Sequence, residues 1–146
     1  MKDNLFNLKG RVIVVTGAAG LLGRQHADAI AFAGGIPVLL DLTLESVEQL
    51  AQEIHTKYGC NAVGYAVDIT KESQVENNVS EILNKFAKID ALVNNAANNP
   101  KVENKDGKNF SRLENFPIDA WDADIAVGLT GAFLCLKHYG TAISQN

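Results

Sequence analysis

The chain has 146 residues, of which 47% are hydrophobic and 21% charged, with a formal net charge of −4. This length predicts a single domain large enough to bury a core. The acidic balance and the lack of a basic block exclude the phosphate-neutralising surface of a nucleic-acid binder. No stretch approaches the roughly 20 apolar residues of a membrane span, and the first ten residues lack a signal-peptide pattern. We therefore expect a cytoplasmic protein with no membrane or nucleic-acid partner.

The cysteines and histidines predict neither a disulfide framework nor a metal site. Cys60 and Cys135 are the only cysteines, and a disulfide scaffold or metal site needs more ligands at closer spacing. We expect two reduced thiols, with Cys135 packed on a helix face. His26, His55 and His138 have no partner spacing typical of metal ligands, so we predict that they are surface or packing residues.

The first half of the chain alternates apolar runs with helical patterns. Residues 11–16 form a continuous β-branched run, typical of a strand buried on both faces. A helical segment follows from Leu21 to about Phe32, and residues 37–40 predict a second buried strand. Thr43 can cap the next helix. That helix has apolar residues on one face at spacings of three and four, namely Leu44, Val47, Leu50, Ala51 and Ile54.

The second half continues the alternation. Residues 62–67 and 91–93 predict the third and fourth strands, separated by a helix with the apolar stripe Val75, Val79, Ile82, Leu83 and Phe86. The polar segment from Asn98 to Phe116 predicts a long loop, either a solvated connection or a lid that reaches the mouth of a site. A final helix is predicted from about Asp119 to His138, with its apolar side formed by Trp121, Ile125, Leu129, Ala132, Phe133 and Leu136.

Strands that alternate with helices of this length indicate βαβ units and right-handed crossovers. The sequence therefore predicts an α/β fold with a doubly wound parallel sheet. Four strands are visible, and their simplest order is 3-2-1-4.

Three glycines stand between the first strand and the first helix. Gly17 permits a tight turn out of the strand, Gly20 lets the backbone approach a pyrophosphate, and Gly23 allows close packing of the helix on the sheet. The unpaired N–H groups of the helix amino terminus would then face the phosphates. Glycine is common in turns, but this position between strand and helix favours a dinucleotide site.

A carboxylate at the end of the second strand supports the same site. Asp41 lies 18 residues beyond Gly23, where it can accept both ribose hydroxyls of adenosine and would repel a 2′-phosphate. Leu42 follows it, so no neighbouring cation is available for that phosphate. The pattern predicts NAD in preference to NADP; the alternative is that Asp41 merely caps the next helix.

From about Leu8 onward the chain resembles the short-chain dehydrogenase/reductase superfamily. Asp68-Ile69 resembles its adenine-contacting pair, and Asn94-Asn95-Ala96-Ala97 resembles its Asn-Asn-Ala-Gly motif, which steadies the sheet and lines the nicotinamide ribose. Residues 129–134 resemble its following helix. The resemblance implies a Rossmann-type NAD-binding domain over residues 1–146. It also implies a set of cofactor-binding residues: Gly17, Ala19, Gly20, Leu22, Gly23, Asp41, Leu42, Asp68, Ile69, Asn95, Ala96 and Ala97.

The sequence departs from the family pattern at two motifs. The glycine spacing Thr-Gly-x-x-Gly-x-x-Gly is more typical of the extended branch, which modifies sugar nucleotides. Asn94-Asn95-Ala96-Ala97 and the final helix favour the classical branch. The helix asparagine that holds a water in the family's proton relay aligns with Gly128, which has no side chain for that role.

The family's catalytic serine and Tyr-x-x-x-Lys pair have no match in this chain. The residues four positions after Tyr58, Tyr65 and Tyr139 are alanine or isoleucine, and Ser111 and Ser144 lie in a loop and at the terminus. We therefore expect no catalytic residue within the 146 residues, which form a Rossmann domain incomplete at its carboxyl end.

Three functions remain open. The leading interpretation is the cofactor-binding half of an NAD-dependent oxidoreductase that acts on a small-molecule alcohol or carbonyl. The alternatives are a non-catalytic NAD-binding module and a fragment of a sugar-nucleotide epimerase or dehydratase. The open edge of the fourth strand, and the last helix that often builds subunit interfaces in this family, predict a homo-oligomer.

Overall fold

The computed structural model describes residues 6–98 and 112–146. Most of the predicted loop from Asn98 to Phe116, including Ser111, lies outside the described residues. The predicted approach of this loop to the site therefore stays a prediction.

Four parallel strands form one sheet within the described residues. They are β1 (Val12–Thr16), β2 (Ile36–Asp41), β3 (Val63–Ala66) and β4 (Ala91–Val93), in the order β3-β2-β1-β4. The central strand β1 is buried along its whole length, which explains its continuous β-branched run. The predicted α/β class and the predicted strand order are both confirmed.

Helices cover both faces of the sheet. Helices α1 (Leu21–Phe32) and α2 (Leu44–Tyr58) pack on Ile13, Val15 and Leu39. The opposite face, with Val14 and Leu40, is covered by α3 (Glu72–Phe86) and by the last helix, α5 (Ala132–Ser144). Side chains of successive strand residues point to opposite faces, so each buried strand contributes to both halves of the core.

The start of α2 differs from the prediction in two details. Thr43 is the residue before the helix, but its side chain makes no capping hydrogen bond. Leu44, expected on the buried face, is about half exposed, whereas Val47, Leu50 and Ile54 are buried.

The predicted final helix is wrong in its continuity, its end and its buried face. The structure has α4 (Ile118–Ile125), a π-helical segment (Ala126–Gly131) and then α5, which continues to Ser144. The residues that α5 buries are Leu134, Cys135, Tyr139 and Ala142. The predicted apolar side instead faces outward, since five of its members are large exposed side chains. We call these five the outer stripe: Trp121, Ile125, Leu129, Phe133 and Leu136.

The two cysteines are free thiols. Cys135 is fully buried against the sheet, as predicted. Burial raises the pKa of its thiol to about 12 and also raises the pKa of the Cys60 thiol. Both side chains are therefore protonated at neutral pH, and neither has the stabilised thiolate of a reactive cysteine.

A buried hydrogen bond joins α5 to α3. The Tyr139 hydroxyl donates to Asn78 Oδ1 at 2.9 Å, and Asn78 Nδ2 donates to Glu81 Oε2 at 3.0 Å. Tyr139 is completely buried and Asn78 is 1% exposed. Because an unpaired amide oxygen in this interior cannot reach water, the bond fixes how the two helices pack together.

Replacing Tyr139 by Phe is expected to lower the free energy of unfolding by about 1–3 kcal/mol, because Asn78 Oδ1 loses its partner inside the core. Urea denaturation followed by circular dichroism measures the change. Tyr58→Phe is the matched control, since Tyr58 donates to Asp28 at a partly exposed position, and its loss is expected to be smaller. Equal losses in the two variants would contradict the buried role of the Tyr139 hydroxyl.

Candidate functional site

A cleft of about 690 Å³ lies at the carboxyl ends of the strands. This volume falls within the roughly 300–1,000 Å³ of small-molecule and cofactor sites. In open parallel sheets, ligands bind at this end of the strands. Of the twelve predicted cofactor-binding residues, only Ala19 is not part of the lining, which includes Gly17, Gly20, Leu22, Gly23, Asp41, Leu42, Asp68, Ile69, Asn95, Ala96 and Ala97.

Two of the three glycines are required by the packing of the glycine loop, residues 17–23. Gly17 has φ 63°, in the left-handed region, and a Cβ there would lie 2.9 Å from Ala96 Cα. At Gly23 a Cβ would lie 2.1 Å from the Gly17 carbonyl oxygen and 2.7 Å from Ala18 Cα. Both positions exclude any side chain, because the opposing atoms belong to the backbone.

Gly20 is different. Its φ is −73° with an extended ψ, and a Cβ would meet only the Gly17 oxygen, at 3.3 Å. A methyl group at this position would therefore need a shift of only a few tenths of an ångström in the loop. A stricter need for glycine at residue 20 would arise on the side of the cleft, where a ligand would approach the backbone.

The amino terminus of α1 is open to an anion. Gly20 precedes the helix and has no side chain to cap it, and the first turn holds no acidic residue. By contrast, the first turns of α2 and α3 contain Glu45 and Glu72. The amides at the start of a helix have no intrahelical acceptor, and they carry the positive end of the helix dipole. Leu21 and Leu22, the first two residues of α1, line the cleft.

Asp41 lies beside this loop and does not cap α2. Its Oδ2 accepts the Ala19 N–H at 2.9 Å, and its Oδ1 accepts the Leu42 N–H at 2.8 Å. No side chain caps α2, so the capping alternative does not describe this carboxylate. A carboxylate oxygen has two lone-pair sites. Asp41 therefore keeps acceptor capacity toward the cleft after both bonds are made.

The third strand delivers a second carboxylate. Asp68 Oδ1 accepts both the N–H and the hydroxyl of Thr70, at 2.9 and 2.7 Å. The Asp68 N–H donates to Gln74 Oε1 at 2.8 Å. The adjacent Ile69 is 6% exposed and packs so closely on Gly131 that a Cβ there would lie 2.8 Å from Ile69 Cδ1. The two residues are thus fixed from both sides at the cleft.

Asn95 and Thr16 join the ends of β4 and β1. Asn95 Nδ2 donates to the carbonyl oxygens of Thr16 and Gly17 at 2.9 and 3.1 Å. The buried Thr16 Oγ1 in turn accepts the N–H groups of Asn95 and Ala96, both at 3.0 Å. These reciprocal bonds hold the glycine loop against the start of the segment that contains Ala96 and Ala97.

Sequence reasoning missed several lining residues. Some neighbour predicted ones, such as Leu21, Val67, Thr70 and Asn98, but Ala123, Ala126 and Val127 come from α4 and the π-helical segment. Their small size was a visible signal, although nothing in the sequence places them opposite the glycine loop. Gly128 lies in the same π-helical segment, and a Cβ built on it would meet nothing within 4 Å.

Neither a metal centre nor a membrane span is found in residues 6–98 and 112–146. No group of three or more His, Cys, Asp or Glu side chains there could hold a metal ion. No helix in this part of the chain is both long and apolar enough to cross a bilayer.

Comparison with known proteins identifies the family. The family model described as short chain dehydrogenase matches residues 11–145. The chain belongs to the short-chain dehydrogenase family. The match covers the four described strands and all the described residues that line the cleft.

Individual relatives show the same similarity over half their length. The chain is 33% identical over 138 residues to an NAD-dependent glycerol dehydrogenase from Listeria innocua, which covers 94% of this chain and 49% of the relative. It is 29% identical over 144 residues to an NADP-dependent mannitol dehydrogenase from Alternaria alternata, with coverages of 96% and 50%. The chain thus spans about half the length of the curated relatives it matches.

Among solved structures, the crystal structure of 3-ketoacyl-(acyl-carrier-protein) reductase from Brucella melitensis complexed with NADH superposes with a TM-score of 0.81. The sequences are 31% identical, and the match covers 95% of this chain and 52% of the other. The fold of this short-chain dehydrogenase chain is therefore that of the matching half of the reductase chain.

Gly23→Ala is expected to lower the free energy of unfolding by about 1–3 kcal/mol, because its methyl group would overlap backbone atoms of residues 17 and 18. Gly128→Ala is the matched control. It adds the same methyl group in open space within a helical segment, and is expected to raise stability by about 0.5–1 kcal/mol. Urea denaturation measures both, and the same sign of change in the two variants would refute this account of the loop.

Proposed function

We propose that this chain is the cofactor-binding half of an NAD-dependent oxidoreductase that acts on an alcohol or carbonyl. The observation that carries the proposal is the position of the Asp41 carboxylate, held within hydrogen-bond distance of the glycine loop at the carboxyl end of β2. An acid at this place, beside an uncapped helix terminus, fits an adenosine ribose joined to a pyrophosphate.

Different groups of cleft residues fit the different parts of a dinucleotide. The amides at the start of α1 would receive the pyrophosphate, and Asp41 the ribose hydroxyls. Asp68 and Ile69 would hold the adenine, and Asn95, Ala96 and Ala97 would line the nicotinamide ribose, as the family pattern implies. Gly17 and Gly23 bring the loop and helix close enough for this, since any Cβ there would separate them.

The charges at the cleft favour NAD. A 2′-phosphate carries roughly −1.5 to −2 charges at neutral pH, and Asp41 would repel it. Among the lining residues that the structure describes, none is lysine or arginine, and Leu42 next to Asp41 is largely exposed. The relatives named above include one NAD-dependent and one NADP-dependent enzyme, so the preference is argued from the cleft residues and not from the relatives.

The chemistry of the proposed reaction is hydride transfer, which a bound nicotinamide ring supplies. The described residues would bind and orient the dinucleotide that carries this ring. We propose that the proton-transferring tyrosine and lysine and the catalytic serine of the family are not supplied by these 146 residues. Glycerol and mannitol, the alcohols named for two relatives, form the first substrate panel for the complete protein.

Asp41→Ala is expected to erase the preference for NAD⁺ over NADP⁺, because it removes both the ribose acceptor and the charge that repels a 2′-phosphate. Isothermal titration calorimetry with each dinucleotide measures the two dissociation constants. Asp41→Asn is the matched variant, since an amide oxygen can still accept the Ala19 N–H while the charge is lost. Unchanged selectivity in both variants would show that Asp41 does not contact the ribose.

We also propose that the protein self-associates. The outer stripe places five large apolar side chains on neighbouring turns of one helical rod, and exposed patches of this kind mark interfaces. Within the described residues β4 pairs with β1 alone, which leaves its other edge open for a partner. A second copy of the chain can cover both features.

Sedimentation velocity is expected to show a species larger than a monomer, with Phe133→Glu in the outer stripe shifting it toward the monomer. Phe32→Glu is the control, because Phe32 is 80% exposed on α1, away from the stripe. A monomer at every concentration tested, or equal effects of the two variants, would contradict the proposed interface.

A further inference from the structure

Ala19 is the one predicted cofactor-binding residue outside the cleft lining, and its backbone is held at both ends. Its N–H donates to Asp41 Oδ2 at 2.9 Å, and its carbonyl oxygen accepts from Arg24 Nε at 3.2 Å. Arg24 belongs to the second turn of α1. The Arg24 side chain therefore extends from α1 toward the amino terminus of that helix and contacts the glycine loop.

The Arg24 guanidinium is itself held by α2. Arg24 Nη1 donates to Glu53 Oε2 at 3.1 Å, and Gln49 Nε2 donates to Glu53 Oε1 at 3.0 Å. We call this chain of contacts, through Asp41, Ala19, Arg24 and Glu53, the Ala19 clamp. It connects the end of β2, the glycine loop, α1 and α2 through side chains that lie outside the cleft, apart from Asp41.

The clamp holds one side of a peptide unit whose other polar group bonds within the loop. The Ala19 carbonyl and the Gly20 N–H belong to one peptide plane, and the Gly20 N–H donates to the Gly17 oxygen at 3.2 Å. Without Arg24, that bond is the one that holds the plane. Glycine adopts many backbone conformations at little cost, so Gly20 permits this plane to flip. A flipped plane would turn a carbonyl oxygen toward the amino terminus of α1, where the proposed pyrophosphate would bind.

We infer that Arg24 is a positioning residue for dinucleotide binding, which keeps the Ala19 carbonyl turned away from the pyrophosphate. This inference rests on the function proposed above. Arg24 is not among the residues that line the cleft, and its charge is paired with Glu53. Arg24 therefore affects phosphate binding through the orientation of the Ala19–Gly20 peptide. Glu53 in turn orients the Arg24 guanidinium.

The same two helices provide a matched control one turn farther on. Asp28 and Lys57 lie four residues after Arg24 and Glu53, and Lys57 Nζ lies 2.7 Å from Asp28 Oδ1. This ion pair has the opposite polarity and a similar exposure to solvent. It joins α1 to α2 as the clamp does, but none of its hydrogen bonds reaches the glycine loop.

The experiment compares Arg24→Met with Lys57→Met in the full chain. Methionine keeps the apolar stem of each side chain, and each change removes one exposed ion pair between the helices. Arg24→Met also removes the bond to the Ala19 oxygen. Small shifts in the urea midpoint are therefore expected for both variants. Calorimetry is expected to show that Arg24→Met weakens NAD⁺ binding about three- to tenfold, the equivalent of roughly one hydrogen bond, and that Lys57→Met leaves it within about twofold.

Two further measurements separate positioning from other roles. ADP shares the pyrophosphate, so Arg24→Met is expected to weaken ADP by a similar factor. Arg24→Lys keeps a cationic donor and is expected to bind NAD⁺ more tightly than Arg24→Met. Should Arg24→Met fail to fold, Glu53→Ala gives the same comparison, because it removes the acceptor that orients the Arg24 guanidinium and is also expected to weaken NAD⁺ binding.

The outcomes distinguish this inference from the function beneath it. Equal affinities of Arg24→Met and Lys57→Met, or of Arg24→Met and Arg24→Lys, would overturn the role of Arg24 while the wild-type chain still binds NAD⁺. An effect on NADP⁺ alone would make Arg24 a 2′-phosphate ligand and would equally overturn it. A wild-type chain that binds neither NAD⁺ nor ADP would overturn the proposed function itself.

Discussion

The first turn of α1 lies against the glycine loop at a distance that leaves no space for a side chain at residue 23. A Cβ there would overlap the Gly17 oxygen and Ala18 Cα. Because the helix sits so close, its first residues line the cleft at the carboxyl edge of the sheet, where ligands bind in open parallel sheets. The cleft, the position of Asp41 and the path of Ala19 all depend on this contact.

The opposite wall of the cleft is fixed to the same loop by polar contacts. Thr16 and Asn95 exchange hydrogen bonds between the ends of β1 and β4, so the two walls cannot separate without leaving buried polar groups unpaired. Such groups cost about 1–3 kcal/mol each. Close packing on one side and polar bonds on the other therefore define one rigid frame for a ligand.

Much of this arrangement could be predicted from the sequence. Continuous β-branched runs identify strands that are buried on both faces, and the glycine spacing with Asp41 identifies the end of the sheet where they meet. The last helix could not be predicted as well, because it is apolar on more than one side. Leu134, Cys135 and Tyr139 form a second stripe beside the outer stripe, and periodicity does not show which of them the sheet covers.

The π-helical segment and the Ala19 clamp were also beyond sequence reasoning. A π-helical turn inserts a residue without any required composition, and it changes the phase of the residues on either side of Gly128. Arg24 and Glu53 are 29 positions apart. Their contact depends on how α1 and α2 pack, which neither helix pattern specifies. Sequence patterns locate backbone elements well, but they do not report contacts between side chains of different helices.

The fixed backbone of Ala19 has a thermodynamic consequence. Both of its polar groups already have protein partners, so this part of the loop loses little conformational freedom when an anion arrives. Anion binding then costs less conformational entropy than it would if a mobile loop had to become ordered. The same preorganisation would make the loop selective, because a group that does not fit its fixed shape would first have to break bonds made during folding.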